Sequence, residues 1–517
     1  MAYKGETYLI SLKDGGINAS VNKIIATPGQ MTTDSKNLSL KGARKKRGGT
    51  YKVNAVAVSG APQIMGIFDY KKPAGTQFIV FATNDGKLWK DSTNSIKPGL
   101  AVNKYVNMEQ YLEKVFFCNG VDLPQYWDGA TATTTGMSLI PTDWAGTNYP
   151  KQFIRHGRGA SSRLWAIGCP TTPYTVYASE NGTMDMTDAK VTTIDIDTGD
   201  GYGIVGANKF KDQLYCFGRR QAYLIDDADT SVTNWGYSKA AWAGGVAHWR
   251  LIVETPNDMV CMDEDGEIYS VMAAQEYGDY KAASLTKEAD MHDWIKANLN
   301  LSLISKFHAV YDTELRAVKF FVVRRTQTDV DTCLVYFIDR PPQDAWMIYD
   351  NLNYISGYRA SCAAVVNTSG NVFKVYTGDY IGFIWQLEYS EKSDNNNAFY
   401  AGFKTPPLGL ENNRSRKRFD QAWISLETQS MKIFEDDVFE ENIFFDDDMT
   451  LSIDWWVDGV AKTTQTVTAT SNKRRYRVPL RSVGNELEIQ LSNSEKDVDF
   501  CLDALEIDFL PLGSMVT

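Results

Sequence analysis

Short apolar runs separated by turn residues recur along most of the chain, and this repetition limits the fold more than any other feature. Between about residues 63 and 390, each unit holds two to four β-rich runs. Successive units begin at about 63, 105, 152, 202, 246, 307 and 361. Spacings of roughly 40–60 residues are typical of β-propeller blades, which have about 40–50 residues. The pattern predicts an all-β fold with a six- or seven-bladed β-propeller, and both blade counts stay open.

Residues 105–129 (YVNMEQYLEKVFFCNGVDLPQYWDG) show the repeating unit in its clearest form. Asn119-Gly120 tolerates positive φ in a tight turn, and Pro124 is excluded from a central strand. We expect Trp127 to pack between sheets and Asp128-Gly129 to turn the chain. The segment predicts strands at 105–108, 114–118 and 125–127, with breaks at 109–113 and 119–124.

The flanking segments predict an N-terminal strap (1–50), the propeller (51–395) and a C-terminal β-sandwich (396–517). The strap is expected to pack along the propeller and to contain either a short helix or an extended arm from Asp34, then a basic loop at 41–49. Residues 284–301 predict a helix capped by Ser284 and inserted between blades. Alternating runs such as 487–491 and 505–509 are typical of a small sandwich.

Composition and charge exclude several classes of protein. The net charge of −11 gives no general attraction to nucleic acid, because phosphate binding depends on basic charge. Seven cysteines without a Cys-x-x-Cys pair indicate buried, reduced thiols made in a cytoplasm. The first residues do not form a signal peptide, and no window approaches the roughly 18 apolar residues of a membrane helix.

No residue set specifies a reaction. The chain has four histidines and lacks both the Gly-x-Ser-x-Gly elbow and the His-Glu-x-x-His motif. We therefore predict no catalytic, cofactor-binding or metal-binding residues, and no enzyme. Because Asp and Glu are abundant, a glycosidase that uses a pair of carboxylates stays open.

Three basic clusters and one acidic segment are the candidate contact sites. Subunit salt bridges, solvated faces and contacts with DNA phosphates are the alternatives for the basic clusters. The acidic segment, residues 434–448, reads as a solvated hairpin, an interaction tip or a site for Ca²⁺ or Mg²⁺. A basic cluster could pair with the acidic segment of a neighbouring subunit. The basic candidates are Arg44, Lys45, Lys46, Arg47, Arg414, Arg416, Lys417, Arg418, Lys473, Arg474 and Arg475, and those of the acidic segment are Phe434, Asp436, Phe439, Phe444 and Asp447.

Three stretches resemble the tail nozzle, or tail tubular, proteins of short-tailed bacteriophages and the related packaged-DNA stabilisation proteins. Residues 15–18 (GGIN) and 36–50 (KNLSLKGARKKRGGT) are similar to the opening of such proteins, although Gly48 stands where proline is common. Residues 117–129 (FCNGVDLPQYWDG) are similar to the family's Asn-Gly-x-x-x-Pro-x-x-Trp-Asp-Gly hairpin. The run from Arg416 to Gly513 looks like the sandwich that closes several phage tail proteins.

This resemblance implies a structural virion protein, made in the host cytoplasm. It implies a homo-oligomer, a hexameric ring that contacts adaptor and portal-side tail proteins and tail fibres. The ring would form the conduit and gate for double-stranded DNA, with transient DNA contact and no cofactor. A carbohydrate-binding or glycosidase-type propeller acting on host surface polysaccharide is the alternative, and a cellular interaction scaffold is a third reading.

Overall fold

A computed structural model describes most of the chain, and nearly all of its regular structure is β. The described residues are 5–20, 27, 29–42, 44–72, 75–157, 161–278, 283–350, 359–370, 372–410, 414–426, 449–469 and 474–512. The N-terminal part forms four strands, β1 Glu6–Ser11, β2 Leu38–Ser39, β3 Arg44–Lys46 and β4 Gly49–Lys52.

The described residues form seven antiparallel sheets in which the chain runs from one strand to its neighbour. The strands of the first three sheets are β5 Ile64–Lys71, β6 Gln77–Thr83, β7 Lys87–Trp89 and β8 Ser95–Lys97, then β9 Asn107–Tyr111, β10 Lys114–Cys118, β11 Gln125–Trp127 and β12 Thr135–Gly136, then β13 Gln152–His156, β14 Arg163–Ile167, β15 Thr175–Ala178 and β16 Thr192–Asp195. The strands of the other four are β17 Gly206–Phe210, β18 Gln213–Phe217, β19 Ala222–Asp226 and β20 Gly236–Lys239, then β21 Ile252–Glu254, β22 Met259–Met262 and β23 Ile268–Ser270, then β24 His308–Asp312, β25 Ala317–Val322, β26 Thr332–Phe337 and β27 Trp346–Asp350, then β28 Cys362–Ser369, β29 Val372–Gly378 and β30 Ile384–Tyr389.

The first strands of these sheets touch in a closed ring. β5 contacts β9, β9 contacts β13, and the series continues through β17, β21, β24 and β28 back to β5. This arrangement is a seven-bladed β-propeller, so the predicted fold is confirmed with the higher of the two blade counts. Strands β10 and β11 match their predicted ranges, but the predicted break at 109–113 is wrong. Strand β9 continues to Tyr111 because Leu112 and Glu113 make the tight turn themselves, with φ of 47° and 60°.

The seventh blade combines the two ends of the propeller. Strand β4 from the N-terminal part pairs with β30, with Lys52 opposite Trp385 and Gly49 opposite Tyr389. The rings of Tyr51 and Tyr389 stack across this pair, with centroids 4.9 Å apart. The ring is therefore closed by hydrogen bonds between residues more than 300 positions apart in sequence.

The fifth blade departs from the prediction of one helix at 284–301. Two α-helices, α1 Val271–Tyr277 and α2 Met291–Asn298, follow β23 in the described residues. Ser284 does not cap a helix, because residues 283–285 bond to β23 and occupy the place of a fourth strand. The missed helix α1 is capped by Ser270, whose hydroxyl accepts the Ala273 N–H. Short 3₁₀ turns cover Val232–Asn234, Trp249–Leu251, Leu301–Lys306 and Pro342–Asp344.

The C-terminal residues form the predicted β-sandwich. Its strands are β31 Ala401–Lys404, β32 Lys417–Leu426, β33 Met449–Val457, β34 Val460–Ala461, β35 Gln465–Ala469, β36 Arg475–Gly484, β37 Leu487–Asn493 and β38 Cys501–Pro511. One sheet has the order β2-β3-β38-β32-β36 with β1 also on β38, and the other has the order β31-β37-β33-β34 with β35 also on β33. Alternate residues such as Ile489 and Ile507 are fully buried between them.

The sequence predicts a strap that packs along the propeller. In the structure, the N-terminal part contributes strands to both the sandwich and the propeller. Strands β1, β2 and β3 belong to a sandwich sheet, and β4 belongs to the seventh blade. Between them, Asn37 N–H bonds to Ile348 of the sixth blade, while Lys36 pairs with Gly402 of the sandwich. Of the two alternatives predicted from Asp34, the structure shows the extended arm and not the short helix. One continuous hydrophobic core consequently joins the sixth blade, the N-terminal part and the sandwich.

The tight packing where β4 closes the ring predicts that a side chain at Gly49 lowers the stability of the fold. A Cβ atom there would overlap the carbonyl oxygen of Ser393 and lie 2.6 Å from that of Glu391. We expect Gly49→Ala to lower the free energy of unfolding by about 2–3 kcal/mol, because the backbone must shift to relieve the clash. Gly236→Ala is the matched control, since nothing lies within 4 Å of its Cβ position. Thermal or denaturant unfolding checks both variants, and equal stability of the two would contradict the packing at the closure.

Candidate functional site: the N-terminal clasp and the propeller axis

The first basic cluster lies inside the protein. Residues 44–47 were expected in a surface loop, but Arg44, Lys46 and Arg47 are buried and only Lys45 is exposed. Strand β3 pairs with both β2 and β38, so alternate side chains point into the core. The prediction that this cluster contacts DNA or a neighbouring subunit is therefore wrong for Arg44, Lys46 and Arg47, because the chain itself covers their charges.

Arg47 forms a two-pronged ion pair with Asp394. Its Nη1 and Nη2 lie 2.9 Å and 2.6 Å from the two carboxylate oxygens, and its Nε donates to Asn37 Oδ1 at 3.2 Å. The guanidinium also lies 3.9 Å from the centroid of the Phe399 ring. Burial alone would lower the pKa of Arg47, but the Asp394 carboxylate outweighs it and raises that pKa. The pair fixes the N-terminal part to the start of the sandwich.

A second buried cation connects the blades to the same segment. Lys319 Nζ in the sixth blade lies 2.8 Å from Asp312 Oδ2 and 2.8 Å from Glu388 Oε1 in the seventh. The other oxygen of Glu388 accepts the Gly48 N–H at 2.9 Å. Burial acts to lower the pKa of Lys319, but the two carboxylates raise it above its ordinary value. We call residues 29–49, held in this way, the clasp.

Asn37 is the point where the clasp touches both domains at once. Its backbone has a φ of 59°, a conformation that asparagine tolerates better than most residues. Its Nδ2 donates to Asp350 Oδ1 at 3.2 Å and to the Tyr400 carbonyl at 2.8 Å. The side chain therefore links the sixth blade to the segment that enters the sandwich.

The other two buried cations of the first basic cluster bind carbonyl oxygens. Arg44 Nη2 donates to the carbonyls of Asp14, Gly15 and Gly29. Lys46 Nζ donates to the Glu495 carbonyl at 2.6 Å. Burial lowers the pKa of Arg44 to about 9 and that of Lys46 to about 8, and a neighbouring arginine adds to each shift.

The second and third basic clusters lie on the sandwich surface, at opposite ends of the pair formed by β32 and β36. Lys417 lies opposite Gly484 and Ser425 opposite Arg475, so roughly 25 Å of strand separates the clusters. Lys417 is buried, while Arg414, Arg416, Arg418, Arg474 and Arg475 are exposed. Lys473 and the acidic candidates Phe434, Asp436, Phe439, Phe444 and Asp447 lie outside the described residues.

Arg418 and Arg475 each have an acidic partner within the chain. Arg418 Nε lies 2.8 Å from Asp420, and Arg475 pairs with Glu506 beneath the Trp423 ring.

The segment 105–129 has the structural role that its sequence predicts. Trp127 is buried and packs against Tyr70 and Phe78 of the preceding blade, with ring centroids 5.8 Å and 5.0 Å away. Gly120 has a φ of 80° in the predicted turn. The Asp128 carboxylate accepts the N–H groups of Ala130 and Thr131, and these bonds lower its pKa to about 2.

Arg250 spans one mouth of the propeller channel. Its guanidinium lies 3.4 Å from the centroid of the Tyr105 ring, and Nη2 donates to the Ser305 carbonyl at 2.7 Å. Nη1 reaches the Ser361 carbonyl at 3.5 Å. Tyr105, Ser305 and Ser361 each precede the inner strand of a blade, so all lie at the same end of the channel. Contacts from three other blades therefore converge on this arginine of the fifth blade.

Four charged side chains line the channel beyond Arg250. Glu109 and Lys209 belong to blades that are not neighbours, yet their charges interact, so both face the axis. Burial raises the pKa of Glu109 to about 7, although Lys209 and the Arg155 N–H oppose the shift. Burial also raises the pKa of Glu254, again against Lys209. A carboxyl whose pKa is raised to about 7 can donate a proton near neutral pH, as a general acid does.

The sequence alone does not predict that these four charged residues line the channel. Glu109, Arg155, Lys209 and Glu254 stand alone among uncharged neighbours in four separate units. The available signal was a charge at the corresponding position of successive inner strands, which becomes visible only after the blades are aligned.

Other chemistry is sparse in the described ranges. No group of three or more His, Cys, Asp or Glu side chains there is placed to hold a metal ion. No disulfide joins the cysteines in these ranges, and six of the seven are buried, as the sequence predicts for most of them. No helix in these ranges is long and apolar enough to cross a membrane.

Comparison with known proteins gives a likeness of fold alone. No family model and no curated protein matches the sequence. Among solved structures, the WD40 repeats of RRP9 are 9% identical, with a TM-score of 0.40 over 66% of this chain and 99% of that chain. YCF48 bound to D1 peptide is 9% identical, with a TM-score of 0.39 over 65% and 94%. An exo-β-1,3-galactanase from Phanerochaete chrysosporium with galactose is 8% identical, with a TM-score of 0.25 over 88% and 100%.

The raised pKa of Glu109 predicts a pH-dependent change in stability. Between its ordinary pKa of 4.5 and about 7, the unfolded chain loses this proton while the folded chain keeps it, so stability falls as pH rises. Glu109→Gln mimics the protonated group. We expect it to match the natural protein near pH 4 and to be more stable at pH 8, by on the order of 1–2 kcal/mol.

Melting temperatures across this pH range check the prediction. Glu276→Gln, at an exposed position, serves as the control and should leave the melting temperature unchanged both near pH 4 and at pH 8. A Glu109→Gln variant that is no more stable than the natural protein at pH 8 would contradict the burial of this carboxylate.

Proposed function

We propose that this chain is a structural subunit of the tail nozzle of a short-tailed bacteriophage. It forms an oligomeric ring, a conduit and gate through which the genome is retained and ejected. The observation that carries the proposal is that residues of a family-like stretch are also the residues that form the clasp. One of the opening stretches that resemble the nozzle family, residues 36–50, contributes Asn37, Arg47 and Gly48 to the clasp.

The mechanical requirements of a conduit support this proposal. A wall around packaged DNA must resist outward force, and a propeller with loosely attached domains would open under it. Here β4 closes the ring of blades, and the clasp joins the blades to the sandwich through buried ion pairs. Breaking one such pair costs about 3–5 kcal/mol, because a buried charge is left uncompensated.

The charge of the chain also suits a conduit. A net charge of −11 repels the phosphate backbone and reduces trapping of DNA in the lumen. Three of the basic candidates, Arg44, Lys46 and Arg47, are neutralised or covered within the chain and add no attraction for DNA. The proposed partners are other copies in a hexameric ring, adaptor and portal-side tail proteins, and tail fibres.

A glycosidase-type propeller that acts on host surface polysaccharide is the second candidate. The carboxyl of Glu109, whose pKa is raised to about 7 by burial, is the observation that favours it. The charge of Glu109 is compensated by Lys209 and Arg155, which also suits a purely structural network.

Electron microscopy of phage particles that carry this gene, with antibody against the chain, tests the first proposal. We expect label at the tail and a ring of six copies, which native mass spectrometry of the detached tail should also give. A chain that stays monomeric and is absent from the tail would overturn it. Release of sugar from host polysaccharide that is lost in Glu109→Gln would favour the second candidate.

A further inference from the structure

The mouth of the propeller channel holds a buried positive charge. Arg250 is buried there, and its described contacts are with carbonyl oxygens and an aromatic ring instead of a carboxylate. Burial lowers the pKa of Arg250, and the groups that oppose this shift are the neutral side chains of Tyr105, Cys362 and Tyr380. For the buried Arg47 of the clasp, in contrast, a carboxylate reverses the shift. A buried charge without a counter-charge has a high desolvation cost, so this mouth is suited to an anion.

One donor of the Arg250 guanidinium has no acceptor within the described ranges. Nη2 donates to the Ser305 carbonyl at 2.7 Å, and Nη1 reaches the Ser361 carbonyl only at 3.5 Å. The buried Nε–H bonds to no atom of these ranges. The donors of a guanidinium form a rigid planar fork that matches the oxygens of a carboxylate or a phosphate. The unused Nε–H is therefore a donor for an oxyanion.

His308 supplies a buried acceptor close to this donor. It begins β24, which packs against the 3₁₀ turn Trp249–Leu251 that carries Arg250. Its Nδ1 lies 3.3 Å from the Lys306 carbonyl, and because a carbonyl oxygen only accepts, Nδ1 carries the ring proton. Nε2 is then unprotonated, and it is buried without a partner in the described part of the chain.

The ring of His308 stays neutral and fixed in orientation. Burial and the charge of Arg250 lower the pKa of His308 well below its ordinary value of 6.5. The ring stacks on Phe321 of the next strand, with centroids 4.8 Å apart. At neutral pH, Nε2 is consequently an acceptor that requires a ligand with a hydrogen-bond donor.

Two neighbouring groups favour an anion in the same place. His248 Nδ1 accepts the Arg250 N–H at 3.2 Å, so the ring proton of His248 lies on Nε2 and makes it a further donor. Lys151, just before the inner strand of the third blade, lowers the pKa of His248 together with Arg250 and burial. These cations contribute a potential of the sign that attracts an anion.

The unsatisfied donor and acceptor together specify the ligand. It needs an anionic oxygen to accept from Arg250 Nε and a hydroxyl to donate to His308 Nε2. Inorganic phosphate keeps at least one P–OH near neutral pH, and a phosphate monoester keeps one on part of its molecules, since its second pKa is about 6. Sulfate and the phosphodiesters of DNA have no such hydroxyl, and a water molecule leaves the guanidinium charge uncompensated.

We propose that the mouth of the propeller channel is a binding site for a phosphate group that carries a hydroxyl. Arg250 Nε donates to an anionic oxygen, and the P–OH donates to His308 Nε2. The Tyr105 ring covers one face of the guanidinium and fixes its plane. This site goes beyond the proposed function and does not depend on it, because all of its residues belong to the propeller.

Calorimetric titration of the full chain with inorganic phosphate and with sulfate, at pH 7 and constant ionic strength, tests the site. We expect saturable binding of one phosphate per chain. Sulfate should bind at least about tenfold more weakly, because it leaves His308 Nε2 without a donor. Absence of phosphate binding, or equal binding of the two ions, would overturn the proposal, and this comparison needs no variant.

Two variants separate the roles of the donor and the acceptor. Arg250→Gln should abolish binding of both ions. His308→Phe keeps a ring on Phe321 but has no acceptor, so phosphate should bind only as weakly as sulfate does. Arg316→Gln, at an exposed arginine of the same blade as His308, is the matched control and should bind phosphate like the natural protein. Melting temperatures show which variants are folded, and a folded His308→Phe variant that still prefers phosphate would refute the assigned hydrogen bond.

A titration with glycerol phosphate then distinguishes the two sources of the ligand. Tighter binding of this ester than of inorganic phosphate identifies a phosphorylated small molecule, whereas binding of inorganic phosphate alone identifies the free ion. Either result supports the site. Assembly of the chain into a ring is measured separately, so failure of this proposal leaves the nozzle function in place.

Discussion

The buried ion pair between Arg47 and Asp394 is the interaction on which the architecture depends. It joins a segment from the start of the chain to the entrance of the sandwich, and Asn37 extends the connection to the sixth blade. Burying two charges has a high desolvation cost, so the pair contributes geometry more than net stability. The two hydrogen bonds between the Arg47 guanidinium and the Asp394 carboxylate hold the clasp in one register. In that register, β4 pairs with β30 in the seventh blade.

The local part of this fold follows from the sequence. Runs such as Lys114–Cys118 and Gln125–Trp127 have β-rich composition and strong turns beside them, and they form strands at the predicted positions. The sandwich strands are likewise visible in the alternation of Leu487, Ile489 and Leu491 with polar residues. Trp127 packs between blades as expected, because a large apolar side chain next to a turn has few other places to be buried.

The long-range part does not follow from the sequence. Arg44, Lys46 and Arg47 look like a surface cluster in the sequence. The partners of Lys46 and Arg47 lie hundreds of positions away at Asn493, Glu495 and Asp394, and Arg44 binds backbone carbonyls that carry no sequence signal. Glu109 and Lys209 are equally inconspicuous until the blades form a ring. Four of the candidate contact residues, Arg44, Lys46, Arg47 and Lys417, were predicted at the surface but are buried in the structure.

Calorimetric unfolding of the full chain tests most directly whether the clasp makes the propeller and the sandwich one unit. We expect a single transition whose calorimetric and van't Hoff enthalpies agree. In Arg47→Met we expect a lower melting temperature and separate transitions for the two domains, whereas Lys45→Met, at the exposed neighbouring position, should behave like the natural protein. Two separate transitions in the natural protein, or no change in Arg47→Met, would contradict the role given to the clasp.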